Sequence, residues 1–289
     1  VWYSDTDNYL QLLADEFDGA CSIGIDKNFP ARFLMPLMDL VDECHFELGS
    51  ECVDRVRMVK DEKEQQLMIE ASKINDLVVD EVINICAKGN LTEKEVSDQL
   101  AGIYQKHGCT GNSFEPIVAY GKNGADNHHS GDDSTLKPGD SIVIDIGGLY
   151  KGYCSDMTRT VFYKEVSPKQ KAVYELVLKA QKAAEAMIKP GIRLCDIDKC
   201  ARDIIAEGGY TVEFNHRLGH FIGRDVHEWG DVSQNYDIEV QEGMTFSIEP
   251  GVYLQGEFGV RIEDLVLVTE DGCKVLNSYP KDLKVIGND

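Results

Sequence analysis

Two aspartates stand at the ends of strand-like runs. Asp145 closes the apolar stretch Ser141-Ile-Val-Ile-Asp, and Asp156 opens Asp-Met-Thr-Arg-Thr-Val. Gly147, Gly148 and Gly152 between them permit a turn and a bulge, so adjacent strands can bring both carboxylates to one face. Two glutamates are set in a similar way. Glu249 follows Ser247-Ile248, and Glu263 lies in Gly259-Val-Arg-Ile-Glu-Asp. On one continuous strand Arg261 and Glu263 share a face and Asp264 points to the other. Phe246, Ile248, Val260 and Ile262 make these surroundings apolar, and an acid aimed into them needs a partner or a metal. Of the seven histidines, five fall in two segments: His128 and His129, then His216, His220 and His227. Taken singly, each feature has a plain alternative: turn acids capping a hairpin, a surface Arg–Glu ladder, a hydrogen-bonded structural histidine. Taken together, four carboxylates and His220, with histidines to spare, are the inventory of a carboxylate-rich two-metal hydrolase site.

The elements that must carry these residues are legible in the pattern. Lys60 to Cys86 reads as a long amphipathic helix, with acids early and Ile69, Ile74, Val78 and Val82 turned inward. Leu91-Thr-Glu-Lys-Glu gives a second helix start, Thr92 as cap and Glu95 at the third helical position, running to about His107. Strand runs follow over 114–119, 141–147 and 158–163, with Pro138-Gly139-Asp140 as the turn feeding the middle one. The order then recurs: helices over 168–187 and 196–207, and strands over 245–248, 252–254 and 260–268. Two successive helix–helix–sheet halves suggest an internal duplication with the site between them. Before this, Asp7–Phe17 reads as a helix, 21–25 as a strand, and Pro30 to Val41 as another helical stretch. That is too little for an independent domain, and the chain opens at Val1 with the pattern under way, so part of an N-terminal domain is expected to be missing.

Composition excludes some classes of function. Acidic residues outnumber basic ones 51 to 29, for a formal net charge of −22. Such a surface repels phosphate backbones and anionic lipid, so neither a nucleic acid nor a membrane is an expected partner. No apolar run reaches the length of a membrane span. The nine cysteines form no C-x-x-C pair, and their scatter suits a reducing cytoplasm in which they act as small apolar residues.

Five motifs stand in order along the chain. They are Phe114-Glu-Pro-Ile-Val-Ala-Tyr-Gly-Lys-Asn-Gly-Ala-Asp-Asn-His-His, Asp145-Ile-Gly with Gly152-Tyr-Cys-Ser-Asp-Met-Thr-Arg-Thr, Gly219-His220 with Val226-His-Glu, Ile248-Glu-Pro-Gly, and Gly259-Val-Arg-Ile-Glu-Asp. In this order they resemble the pita-bread metallopeptidases, in the branch of Xaa-Pro aminopeptidases and prolidases. The resemblance implies an α+β fold of two pseudo-symmetric α/β halves over 56–289, preceded over 1–55 by a fragment of a creatinase-type N-terminal domain. It also implies five metal ligands, Asp145, Asp156, His220, Glu249 and Glu263, with Asp156 and Glu263 bridging two divalent ions. Manganese is expected, with cobalt, iron or zinc as alternatives. His128 and His227 match substrate-facing histidines, Glu249 doubles as the proton carrier, and Arg261 matches an arginine that orients the first aspartate. The expected substrates are small peptides with proline at the second position, cleaved before that proline by a cytoplasmic homodimer. A methionine aminopeptidase and a non-catalytic peptide-binding module are the competing readings. Tyr120, Gly124, Asn127, Phe221 and Trp229-Gly230 depart from residues common in the family and bear on substrate preference.

Overall fold

The computed structural model describes residues 2–17 and 19–288. Val1, on which the expectation of a missing start rests, lies outside them. The chain divides into two compact units, Val1–Arg57 and Met58–Asp289.

The smaller unit runs α1 (Tyr9–Ala14), β1 (Ser22–Ile25), α2 (Ala31–Leu40), β2 (His45–Leu48) and α3 (Ser50–Met58), the last reaching the unit boundary. β1 and β2 pair in parallel, Ser22 opposite His45, with α2 as the crossover that parallel pairing requires. α1 is shorter than its apolar spacing suggests. Asn8 caps its start by accepting from the Gln11 amide, and amides at Glu16 and Phe17 turn back three residues to tighten its end. β2 and α3 lie outside the helices and strands that the sequence pattern predicts.

The larger unit continues with α4 (Glu62–Ala87), α5 (Glu93–Lys106), β3 (Ile117–Tyr120), β4 (Ser141–Ile146), β5 (Leu149–Tyr150), β6 (Tyr153–Cys154) and β7 (Met157–Tyr163). Then come α6 (Pro168–Met187), α7 (Leu194–Glu207), β8 (Gly219–His220), β9 (Asp231–Val232), β10 (Thr245–Ile248), β11 (Gly251–Leu254), β12 (Phe258–Arg261), β13 (Asp264–Val268), β14 (Cys273–Val275) and β15 (Val285–Ile286). α4, α5 and α6 each begin with a capping box, at Asp61, Thr92 and Ser167. The first sheet has the order β15-β7-β4-β3, and the second β10-β13-β14. No helix among the described residues is long and apolar enough to cross a membrane.

Alternation on β4 decides where the chemistry lies. Ile142, Ile144 and Ile146 pack beneath α4 and α5 against Val78, Val82, Leu100 and Tyr104. Asp145 therefore emerges on the opposite face. α6 and α7 cover the second half in the same manner, with Val173, Val177, Ala201 and Ile205 in one core with Phe221, Phe246, Ile248 and Val266.

Two expectations need correction. The buried stripe of α4 is Met68, Ala71, Ser72, Asn75, Val78, Val79, Val82, Ile83 and Cys86, while Ile69 and Ile74 lie at its half-buried edges. The run 260–268 is two strands rather than one. β12 pairs with β11 and β13 with β10, and the chain changes partners at Ile262 and Glu263. There the Glu263 amide donates to the Thr158 carbonyl of β7 at 3.1 Å, which ties the two halves of the unit together.

Candidate metal centre

One cleft of about 570 Å³ is lined by Asp145, Asp156, His220, Glu249 and Glu263 and also by Arg261, His128 and His227. His129, His216, Arg217, Phe114, Glu115, Ile117 and Val226 are further lining residues. The acidic groups come from different elements. β4 supplies Asp145, and Asp156 directly precedes β7, where Asp145 faces Thr158 across the ladder. β8 supplies His220, Glu249 follows β10, and Glu263 occupies the change of partners between β12 and β13. β8 reaches β10 this closely because residue 219 is glycine: a Cβ there would lie 1.9 Å from the Ser247 carbonyl oxygen. The approach lets Ser247 Oγ accept from the His220 amide at 3.0 Å and donate to Glu249 Oε1 at 3.2 Å.

The donor atoms converge. Ligand atoms of Asp156, His220 and Glu263 lie within 4.8 Å of one another. His220 Nε2 is 3.4 Å from Asp156 Oδ2 and 3.6 Å from Glu249 Oε1. His220 Nδ1 donates to the Phe221 carbonyl at 3.2 Å, which leaves the Nε2 lone pair facing the carboxylates. Three carboxylate oxygens, Asp145 Oδ1, Asp156 Oδ1 and Glu263 Oε1, are buried without a hydrogen-bond partner. Buried anionic oxygens without donors are costly unless a cation completes them. Oxygen donors with one imidazole suit a hard or borderline divalent ion.

The strain of this crowding appears as proton affinity. Burial first, and neighbouring carboxylates next, hold Asp156 and Glu263 well above the ordinary carboxylate range. Burial raises Glu249 to about 7, with His220 and Arg261 pulling the other way. Burial lowers His220. His227 stands edge-on to His220, ring centroids 4.4 Å apart, and is lowered to about 4. Its outer edge meets solvent, but loss of water around the inner edge is the main cause and His220 the next.

Arg261 organises the floor of the cleft. It donates to Asp145 Oδ2 at 2.5 Å, to Thr158 Oγ1 at 3.0 Å and to the Tyr253 hydroxyl at 2.9 Å. Thr158 Oγ1 in turn donates to Glu263 Oε2 at 2.7 Å. The Tyr253 hydroxyl, already an acceptor, gives its proton to His216 Nε2 at 2.9 Å, while His216 Nδ1 donates to the Arg217 carbonyl at 2.6 Å. Burial foremost, and Arg261 next, lower His216 to about 3, so this imidazole is neutral.

His128 reaches the cleft on the loop after β3, but His129 beside it is held by Glu93 Oε2 at 2.7 Å. Glu93, the first residue of α5, is fully buried. Its Oε1 accepts from the Tyr120 amide at 2.6 Å and Asn123 Nδ2 at 2.9 Å, and its Oε2 also accepts from the Asp132 amide at 3.0 Å. Because donors already fill both oxygens, Glu93 anchors the loop that presents His128. Sequence reasoning singled out neither Glu93, Tyr253 and Thr158 nor the cleft position of His216. The available signals were the place of His216, four residues before His220, in the histidine cluster and that of Thr158 in the motif beginning at Gly152.

Comparison with known proteins follows this geometry. The family model for metallopeptidase family M24 matches residues 66–270. A putative dipeptidase, YkvY, of Bacillus subtilis is 44% identical over 241 residues, covering 83% of this chain and 66% of the relative. An Xaa-Pro dipeptidase of Pyrococcus horikoshii is 38% identical over 273 residues, covering 93% of this chain and 78% of that protein. The crystal structure of a prolidase from Thermococcus sibiricus superposes with a TM-score of 0.93 at 35% identity, covering 99% of this chain and 79% of that one.

Proposed function

The chain belongs to metallopeptidase family M24 and has its pita-bread fold, and from this premise we propose that it is a metal-dependent exopeptidase hydrolysing Xaa-Pro dipeptides. Asp145, Asp156, His220, Glu249 and Glu263 would hold two divalent ions. The observation that carries this reading is the set of three buried carboxylate oxygens without donors beside the His220 lone pair. Ions bound there supply Lewis acidity toward a peptide carbonyl and toward water.

The remaining steps belong to this chain's own groups. Glu249 takes a proton from the attacking water and returns it to the leaving nitrogen. His227, neutral at pH 7, donates its N–H to the oxyanion that develops on the scissile carbonyl. His128 faces the leaving residue. Proline as that residue presents a tertiary amide without an N–H, which a site relying on metal, carboxylate and imidazole does not miss. Arg217, part-exposed in the cleft wall with one N–H on Asp231 at 2.5 Å, has donors left for the free carboxylate of a dipeptide. That feature, with the names of the relatives, favours dipeptides over longer peptides.

The test is hydrolysis of Ala-Pro, Ala-Pro-Pro and Met-Ala-Ser by chelator-treated protein after separate addition of manganese, cobalt, iron and zinc. Ala-Pro is expected to be the best substrate, with no turnover before metal is added. Preference for Ala-Pro-Pro would reassign the chain to aminopeptidase action, and preference for Met-Ala-Ser to methionine removal. Metal-independent turnover, or none with any metal, would sink the reading.

A further inference from the structure

The smaller unit, Val1–Arg57, carries the paired cysteines nearest to each other among the free thiols. Its buried apolar side chains among the described residues are Ala14, Ile23 and Leu37, while Tyr3, Met35, Leu48 and Val56 are exposed. Its sheet is the single parallel pair β1–β2.

Cys21 and Cys44 directly precede the paired residues Ser22 and His45. The His45 amide donates to the Cys21 carbonyl at 2.7 Å, so the two backbones are already hydrogen-bonded at this point. Neighbouring strands run about 5 Å apart, inside the Cα separation that a disulfide spans. Residues one step before a matched pair point to the same face as each other. The sulfurs meet there at 2.8 Å, and a covalent bond needs an approach of less than about 1 Å more. Both residues are part-exposed, so a small oxidant can reach them, whereas Cys86, Cys109 and Cys154 are buried in the other unit.

We propose that Cys21 and Cys44 are a redox modification site, closed to an intramolecular disulfide by exchange with a small-molecule disulfide of the glutathione class. One cysteine thiolate attacks the glutathione disulfide, its S–S bond breaks, and one glutathione leaves as a thiolate. The second cysteine thiolate then attacks the protein sulfur of the mixed disulfide and expels the other glutathione. Two protein thiols are oxidised, one glutathione disulfide is reduced to two thiols, and the two cysteine protons pass to the departing sulfurs. The hydrogen bond to Cys44, followed by burial, holds the Cys21 thiol above its ordinary range. A thiol held in this way at Cys21 suits a staple rather than a catalytic nucleophile. Closure constrains the intervening loop in the unfolded chain and so steadies the unit.

The test leaves the cleft chemistry aside. The whole chain is equilibrated with a series of oxidised-to-reduced glutathione ratios, trapped by alkylation and mapped by peptide mass spectrometry. The nine thiols of the reduced chain are expected to fall by two, with one cross-linked peptide pair joining Cys21 to Cys44. Added dithiothreitol should restore all of them. Cys21→Ser and Cys44→Ser should each abolish the loss, and amide exchange over 22–25 and 45–48 should slow only in the oxidised native chain. Retention of every thiol at the most oxidising ratio would overturn the proposal. So would a cross-link between other cysteines, or a glutathione adduct that persists on one of the pair.

Discussion

Asp145, Asp156 and Glu263 each keep one buried oxygen without a donor, while Arg261 and Thr158 hold the other oxygens of Asp145 and Glu263. One lone pair is thus fixed by the protein and another is left for a cation. Because burial raises Asp156, Glu249 and Glu263, metal must displace protons from them as it binds. Calorimetric titration in buffers of different ionisation enthalpy is expected to show proton release that is larger near pH 6 than near pH 8, with apparent affinity rising over that interval. Equal and negligible release at both would contradict the crowding. The same shifts set the sign for the metal-free fold. A carboxyl whose folded value lies above its unfolded one stabilises fully below the unfolded value, and that contribution is lost as pH rises through the folded value. For Glu249 the window runs from the ordinary carboxylate range to about 7. His227 is the group to separate chemistry from binding. His227→Ala should retain metal and fold yet lose roughly 10²–10³ in kcat on Ala-Pro, whereas Glu263→Gln should lose metal as well. Near-normal kcat in His227→Ala with metal retained would remove it from the reaction.

Among the elements, α5 acts through its first residue. Glu93 sits in the first turn, where the helix dipole favours an anion, and its two oxygens take four donors from the loop between Tyr120 and Asp132. A glutamine there turns an N–H donor toward other donors. Glu93→Gln is expected to cost about 2–4 kcal/mol in stability and to lower kcat/KM on Ala-Pro. In a His128→Ala background the kinetic loss should be largely absent if the anchor works through His128. Urea unfolding and a double-mutant cycle read both parts; full kinetic additivity would mean that Glu93 acts on turnover independently of His128, and no kinetic loss in Glu93→Gln would mean that it serves stability alone. The exchange of partners between β12 and β13 is the second device at this scale. It brings Arg261 and Glu263 from an apparently single strand to a common floor while sending Asp264 to Arg159 and Lys281 on the far side.

At the scale of the larger unit, the cleft lies where two cores meet. Asp145 and Asp156 belong to the half built on α4 and α5, and His220, Glu249 and Glu263 to the half under α6 and α7. A cation bound by both sets is a cross-link between halves and stabilises the folded state by mass action, about 2.7 kcal/mol at a hundredfold excess over the dissociation constant. Scanning calorimetry should therefore show the main transition moving upward with added manganese and back with chelator. A transition indifferent to both would mean that the carboxylates bind no metal when folded. The excess of acids over bases, 51 to 29, adds self-repulsion that bound cations also relieve.

Much of this was already legible along the chain. The capping box at Thr92 follows from side chains that bond their own backbone within one turn. Strand alternation turns Asp145 away from Ile144 and Ile146, and ordered motifs over 114–264 carry the family. These signals are local, or are strung in a fixed order that a single sequence displays. Tertiary structure alone decided the rest, because the contacts join residues far apart in the chain. Ile262 and Glu263 break a run that reads as one strand, since the Glu263 amide is claimed by Thr158 of the other half. His216 lines the cleft and is tied to Arg261 by hydrogen bonds through the Tyr253 hydroxyl. Glu93 reads as one more first-turn acid until the loop after β3 folds over it. Cys21 and Cys44 carry no motif spacing, and the parallel register of β1 and β2 is what sets their sulfurs side by side.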